Sequence, residues 1–147
     1  MTIRVGVIGA AGRMGATVCA AIAADKNLEL VAAVDTASTG SVVQGVTVSK
    51  DLRALADAKV DVAVDFTVAA ASRVNLPWLA MHNMHAVGGT TGFTDQDIAD
   101  VGKIFTASNC IVAPNFAIGA VLMMRFAEIA APFFETAEII EFHHNAK

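Results

Sequence analysis

The sequence has few cysteines and no cluster of basic residues, and each shortage excludes a class of function. Its two cysteines, Cys19 and Cys110, show no metal-ligand spacing. They predict reduced, buried thiols in a cytosolic protein, and no metal site is expected. The 10 Lys and Arg are outnumbered by 14 Asp and Glu, and they form no basic block. Nucleic-acid binding needs clustered cations on the protein, so it is not expected.

The sequence also lacks a secretion signal and an uninterrupted membrane span. Residues 1–4 lead directly into a strand-like run. The apolar stretch Ala117–Phe134 is interrupted by two charges, Arg125 and Glu128. A spanning helix needs about 20 apolar residues with few charges. We therefore interpret the stretch as a buried or interface helix rather than a membrane span, and expect a cytoplasmic protein with no membrane partner.

The hydrophobic pattern alternates between short strand-like runs and longer helical stretches. The predicted strands are Ile3–Ile8, Leu28–Val34, Val46–Val48, Val60–Phe66, His85–Val87, Ile111–Ala113 and Ala137–His143. The predicted helices are about Gly12–Ala24, a short one capped by Asp51 and reaching Ala58, Ala69–Met84, Asp95–Ala107 and Ala117–Phe134, with a loop over Thr36–Gly45. This repetition predicts an α/β fold of the Rossmann type, a doubly wound parallel sheet with helices on both faces.

The segment between the first strand and the first helix carries the strongest local motif, Gly9-Ala10-Ala11-Gly12-Arg13-Met14-Gly15. In such a turn one glycine permits the tight bend, one lets the backbone approach a pyrophosphate, and one lets helix and strand pack closely. The helix N-terminus then offers free N–H groups to the phosphates. The spacing is G-x-x-G-x-x-G rather than G-x-G-x-x-G, and the alternative is a glycine-rich turn without a ligand. With strand and helix both in place, the motif predicts a dinucleotide site.

Asp35 supports the same interpretation. It closes the second predicted strand about 20 residues after Gly15, where a carboxylate bonds the adenosine ribose of a dinucleotide. An Asp that only begins a turn is the alternative. The following residues, Thr36–Thr39, contain no Lys or Arg to neutralise a 2′-phosphate. NADH is therefore predicted to be favoured by Asp35, with Arg13 as the one nearby cation that could support NADPH.

Four further segments follow in order along the chain. They are Asp65-Phe66-Thr67, Gly89-Thr90-Thr91-Gly92, Ala113-Pro114-Asn115-Phe116 and Glu141-Phe142-His143-His144-Asn145-Ala146-Lys147. Together with Gly12-Arg13-Met14-Gly15, they closely resemble the dihydrodipicolinate reductase (4-hydroxy-tetrahydrodipicolinate reductase) family, from the diaminopimelate route to lysine in bacteria and plants. The resemblance covers the whole chain but only the first part of the family, whose members continue past this point.

The resemblance implies an NAD(P)H-dependent reduction of 4-hydroxy-tetrahydrodipicolinate to tetrahydrodipicolinate. It implies a dinucleotide-binding domain over residues 1–116 and the start of a truncated substrate and tetramerisation domain over residues 117–147. A homotetramer is expected for the full-length protein. The implied cofactor contacts are Gly9, Ala10, Ala11, Gly12, Arg13 and Met14 at the pyrophosphate, Asp35 at the ribose, and Gly89, Thr90, Thr91, Ala113, Pro114, Asn115 and Phe116 on the nicotinamide side.

The last segment carries the implied chemistry. By resemblance, His143 is the catalytic acid/base, Lys147 the proton donor, and His144 a contact to a carboxylate of the dicarboxylate substrate. In a strand, His143 and Lys147 share a face and His144 points the other way. A His near neutrality beside a Lys suits proton delivery, although a pair of solvated histidines at a strand end is the alternative.

One departure limits what this chain is expected to do alone. The Gly-Thr pair that grips the substrate in the family lies beyond Lys147, so the chain is expected to bind cofactor and to be inactive or weakly active. Two other functions stay open: a non-catalytic NAD(P)-binding sensor or regulatory module, and another small-substrate dehydrogenase on the same fold. Neither accounts for the His-His-x-x-Lys segment.

Overall fold

The computed structural model describes residues 2–113 and 115–140, and the chain forms two compact units, Met1–Pro114 and Asn115–Lys147. The first unit contains β1 (Ile3–Ile8), α1 (Arg13–Ala24), β2 (Leu28–Val34), β3 (Val42–Val43), β4 (Val46–Ser49), α2 (Arg53–Asp57), β5 (Val62–Asp65), α3 (Ala69–Met81), β6 (His85–Gly88), α4 (Asp95–Ile104) and β7 (Cys110–Val112). The second unit contains α5 (Ile118–Ala130), followed by a 3₁₀ turn over Ala131–Phe133.

The strands form one seven-stranded sheet in the order β3-β4-β2-β1-β5-β6-β7. The pairs are parallel except β3–β4, which is an antiparallel hairpin. The strand order reverses at β1, whose neighbours are β2 on one side and β5 on the other. Open sheets of this kind bind ligands beyond the carboxyl ends of the strands at such a reversal. The predicted Rossmann-type α/β fold is confirmed.

Two hydrophobic cores lie on opposite faces of the sheet, because side chains alternate along each strand. On one face, Val5 and Val7 of β1 pack with Cys19 of α1. On the other face, Ile8 of β1 belongs to a core that also contains residues from α2 and α3, namely Leu55, Leu76 and Leu79. Helices therefore cover both faces of the sheet, as the alternating pattern predicts.

Two helices end earlier than their hydrophobic pattern predicts. Helix α3 stops at Met81 rather than Met84, since Asn83 adopts a φ of 55°, a left-handed conformation that does not continue an α-helix. Helix α4 stops at Ile104 rather than Ala107. In both cases apolar residues beyond the end, such as Met84 and Phe105, fit the helical pattern without continuing the helix, so the pattern alone extends the element too far.

Two other segments differ in kind from the prediction. The predicted loop Thr36–Gly45 contains β3, because Gln44 and Gly45 adopt φ values of 47° and 83° and make the tight hairpin turn into β4. The predicted strand Ala137–His143 is absent over residues 137–140, which pair with no strand that the structure describes. A strand requires a partner for its backbone groups. Residues 141–143 of that prediction lie outside the described residues.

The two cysteines are free thiols, but only one of them is buried as predicted. Cys19 is fully buried, whereas Cys110 is half-buried at the start of β7. Burial raises the pKa of both thiols, that of Cys110 to about 11. Because the thiolate is the reactive form, both residues are poor nucleophiles near neutral pH and serve packing rather than chemistry.

The second unit consists of helix α5, its 3₁₀ turn and flanking segments. The two charges that interrupt its apolar stretch, Arg125 and Glu128, pair with each other at 2.8 Å across one turn of the helix. Among the helices that the structure describes, none is both long enough and apolar enough to cross a membrane.

Candidate functional site

The turn between β1 and α1 depends on two of its glycines. Gly9 adopts a φ of 79°, which favours glycine. Gly15 lies so close to the turn that a Cβ there would collide with the carbonyl group of Gly9. The N–H groups of Gly9 and Ala10 donate to the carbonyl oxygen of Val34 at 2.8 and 3.2 Å. The turn is thereby held against the end of β2, with its backbone at the carboxyl edge of the sheet.

The N-terminus of α1 is open to a ligand. Gly12 is its N-cap, its first turn has no acidic residue, and no side chain in the described part of the chain caps it. Helix α4 is different, because Thr94 and Asp97 form a reciprocal capping box there. Arg73 also bonds Asp97 and, with Thr94, holds the pKa of that carboxyl well below its usual range. The uncapped N–H groups of α1 and their partial positive charge suit a phosphate group.

Asp35 follows β2 directly and contacts this turn. Its Oδ2 accepts the N–H of Ala11 at 3.1 Å, and its Oδ1 accepts the N–H of Ala37 at 2.9 Å. The N–H of Asp35 donates to the carbonyl oxygen of Ser49 in the neighbouring strand β4 at 2.8 Å. The carboxylate is therefore fixed beside the glycine turn, at the point where the sequence predicts a ribose contact.

A crevice of about 380 Å³ opens at this reversal of the strand order. It is lined by Gly9, Gly12 and Asp35 and by residues that follow the flanking strands β4 and β5. The lining residues that the sequence analysis did not assign to cofactor contacts include Thr36, Lys50, Leu52, Phe66, Thr67 and Asn75. No local sequence signal indicates Lys50, because its position depends on the register of β4 against β2, in which Ser49 pairs with the end of β2.

A network of buried polar side chains supports the far side of the crevice. Asp65, at the end of β5, is fully buried. Its carboxylate accepts hydrogen bonds from the N–H and Oγ1 of Thr67 at 2.9 and 2.6 Å, from Ser72 at 3.0 Å and from Asn75 at 3.0 Å. Both carboxyl oxygens are used, so a buried polar group is matched by donors from the following turn and from α3.

The segment Gly89–Gly92 is anchored to that network and to α3. The hydroxyl of Thr90 is 2.8 Å from that of Ser72 and 3.2 Å from the carbonyl oxygen of Thr67. Arg73 donates to the carbonyl oxygen of Gly92 at 3.3 Å. Thr90 is only 3% exposed, so its side chain supports the loop from within.

Gly89 and Ala113 lie side by side at the same edge of the sheet. Gly89 follows β6, and a Cβ there would collide with the ring of Phe66. The N–H of Ala113, which follows β7, donates to the carbonyl oxygen of Gly88 at 2.9 Å. Thr91 is exposed in the same loop. Three of the residues predicted for the nicotinamide side are therefore neighbours beyond the carboxyl ends of β6 and β7.

The other predicted residues are divided between the second unit and the residues that are not described. Asn115 accepts the N–H of Ala117 on its Oδ1 at 2.8 Å, just before α5, and Phe116 is about half exposed in the same segment. Pro114, His143, His144 and Lys147 lie outside the described residues. Their assignment to cofactor, substrate or catalysis stays a prediction.

The residues present fit a dinucleotide. A Cβ at Gly9 or Gly15 would meet backbone atoms, the start of α1 is uncapped, and a carboxylate stands at the end of β2 beside an open crevice. These features occur together at the reversal of the strand order, where such sheets bind nucleotides. The fold and the turn thus define a Rossmann-type domain of the NAD(P)-binding class.

Comparison with known proteins identifies the family. The family model for "Dihydrodipicolinate reductase, N-terminus" matches residues 3–116, and the chain belongs to this family. It is 48% identical to the 4-hydroxy-tetrahydrodipicolinate reductase of Corynebacterium urealyticum, over 99% of this chain and 55% of that protein. It is 46% identical to that of Nocardia farcinica, over 100% of this chain and 56% of that protein. The chain thus spans a little over half the length of these relatives.

Solved structures give the same result. The dipicolinate-bound dihydrodipicolinate reductase of Paenisporosarcina sp. TG-14 is 36% identical to this chain, with a TM-score of 0.78, and the match covers 91% of this chain and 55% of that one. An aspartate semialdehyde dehydrogenase of Candida albicans, at 15% identity and a TM-score of 0.53, covers 62% of this chain and 30% of that one and shares the fold alone.

Proposed function

We propose that this chain is the cofactor-binding part of an NAD(P)H-dependent 4-hydroxy-tetrahydrodipicolinate reductase of the diaminopimelate route to lysine. The observation that carries the proposal is the glycine turn with its uncapped helix, bonded to the carboxylate of Asp35 at 3.1 Å. The family membership supports this reaction, since the relatives carry that name. We also propose, from the same family membership, that the enzyme is cytoplasmic and that the full-length protein is a homotetramer.

The proposed roles follow the strand ends. The backbone from Gly9 to Met14 binds the pyrophosphate through the start of α1, and Asp35 binds the adenosine ribose. Gly89, Thr90, Thr91 and the segment 113–116 line the nicotinamide side, where the bonded hydroxyl of Thr90 holds the loop in place. When bound, the cofactor supplies the hydride. His143 and Lys147 manage the proton, and His144 binds a substrate carboxylate.

The charge of Asp35 is predicted to favour NADH. The substitution Asp35→Asn keeps one oxygen acceptor for the turn but removes the charge. It should weaken NADH binding by about tenfold, because hydrogen bonds to charged groups contribute about 1.5–3 kcal/mol. NADPH binding should be unchanged or improved, since the repulsion of a 2′-phosphate is removed. Calorimetric titration of both nucleotides measures the effect.

Asp25→Asn is the matched control for that experiment. Asp25 also accepts a backbone N–H two residues ahead, from Asn27 at 2.8 Å, but it lies at the opposite edge of the sheet. Its substitution should leave both affinities unchanged. An equal loss of NADH binding in the two variants would contradict the ribose assignment.

The chain of 147 residues is expected to bind nucleotide without catalysing the reduction. The turn, Asp35, the loop after β6 and Ala113 belong to one unit. Binding a dicarboxylate is a separate requirement, because the substrate must be clamped at both ends before orientation can help hydride transfer. NADH fluorescence titration and a steady-state reductase assay should be run on the same sample, with its mass verified. Turnover near that of a complete reductase would contradict this expectation, as would no nucleotide binding by a folded sample.

A further inference from the structure

Lys50 stands beside Asp35 at the carboxyl edge of the sheet. Strands β2 and β4 are parallel, with Val34 paired to Ser49, and the N–H of Asp35 donates to the carbonyl oxygen of Ser49 at 2.8 Å. Asp35 and Lys50 directly follow these two adjacent strands. The backbones of neighbouring strands in a sheet are about 4.8 Å apart. Both residues line the same crevice. Thr36–Thr39 contain no cation, but a lysine directly follows the neighbouring strand at this edge.

The ammonium group of Lys50 is available to a ligand. Lys50 is exposed, and it makes no salt bridge with any residue in the described ranges. The carboxylate of Asp35 accepts two backbone N–H groups instead. Arg13, the cation that the sequence analysis considered for this role, begins α1 and is not among the described residues that line the crevice. Of these two cations, only Lys50 faces the space beside Asp35.

We propose that Lys50 is the residue that binds the 2′-phosphate of NADPH and so determines how well this chain accepts NADPH relative to NADH. The inference rests on the proposed cofactor site and deepens it. Asp35 favours the free ribose hydroxyl of NADH. When a phosphate ester replaces that hydroxyl, as in NADPH, the positive charge of Lys50 offsets the repulsion between Asp35 and the phosphate. Because the flexible ammonium acts as a point charge, it contributes through charge-assisted hydrogen bonding and through salt-dependent attraction.

The substitution Lys50→Gln tests this assignment in the 147-residue chain. NADPH affinity should fall by roughly fivefold, the upper range for an exposed charge pair, while NADH affinity stays within about twofold. Lys50→Arg should retain NADPH binding because it keeps the charge. Lys26→Gln is the matched control, an exposed lysine before β2 at the opposite edge of the sheet. The difference in NADPH affinity between the native chain and Lys50→Gln should become smaller at high salt, because salt screens the charge of an exposed lysine.

Two fragments of the cofactor, one with and one without a 2′-phosphate, isolate the contribution of that phosphate to binding. Adenosine 2′,5′-bisphosphate should lose affinity in Lys50→Gln, and adenosine 5′-monophosphate should not. If Lys50→Gln leaves the NADPH to NADH ratio unchanged, or weakens both nucleotides equally, the assignment of Lys50 is wrong while the cofactor site stands. If the folded native chain binds neither nucleotide, the proposed function fails and this inference fails with it.

Discussion

The substitution Asp65→Ala is expected to lower the free energy of unfolding by about 3 kcal/mol or more. The Asp65 carboxylate is fully buried and accepts four hydrogen bonds, from Thr67, Ser72 and Asn75. Removing it leaves several buried donors without an acceptor, and each such group costs about 1–3 kcal/mol. Urea unfolding monitored by circular dichroism measures the change.

Asp61→Ala is the matched control for this experiment. Asp61 precedes the same strand and also accepts a hydrogen bond, from the N–H of Arg4 at 2.9 Å, but it is exposed. Its loss should cost less than about 1 kcal/mol, as is usual for surface positions. The same destabilisation in both variants would show that burial of the Asp65 network does not matter. Asp65→Ala should also weaken nucleotide binding, since the network anchors Thr90.

The substitutions His143→Gln and Lys147→Ala are expected to lower turnover by about 10²–10⁴-fold, the usual contribution of a general acid or base. They should be made in a protein of the relatives' full length that contains this sequence. Nucleotide affinity should change little, because both residues are proposed to act on the proton rather than on the cofactor. Steady-state kinetics and NADH titration of the same samples separate the two effects.

His144→Gln gives the comparison that distinguishes the proposed roles. If His144 binds a substrate carboxylate, its loss should raise KM more than it lowers kcat, the reverse of the pattern for His143. Normal turnover in His143→Gln or Lys147→Ala would remove that residue from the proposed proton transfer. A large loss of NADH affinity in either variant would point to a structural role instead.

Most of the fold could be predicted because its strong signals are local. The strands β1 and β2 are predicted from short, mostly apolar runs, and the residues after them, Gly9 and Asp35, mark where they end. The hairpin at Gln44 and Gly45 was missed because two-residue strands carry almost no pattern and the turn lacks the usual Asn-Gly pair. The strand predicted from Ala137 shows the opposite error, since β propensity alone does not supply a pairing partner.

The candidate site was predicted where backbone chemistry dictates the residue type. Gly9, Gly15 and Asp35 are identified by the turn, because few other residues can occupy those positions. Lys50 could not be found from its local sequence, since its relation to Asp35 depends on which strand lies next to β2. The role of Thr90 is also a long-range property, because its hydroxyl bonds Ser72 of α3.

In the proposed site the glycine turn binds the phosphates through its backbone, whereas Asp35 and Lys50 act through side chains that lie outside the buried core. This separation has an evolutionary consequence. A lineage could shift its cofactor preference by exchanging the residue after β4, with no change to the turn and little effect on stability. In this proposal, recognition of the dinucleotide depends on the geometry of the main chain, while the choice between its two forms depends on side chains that single substitutions can exchange.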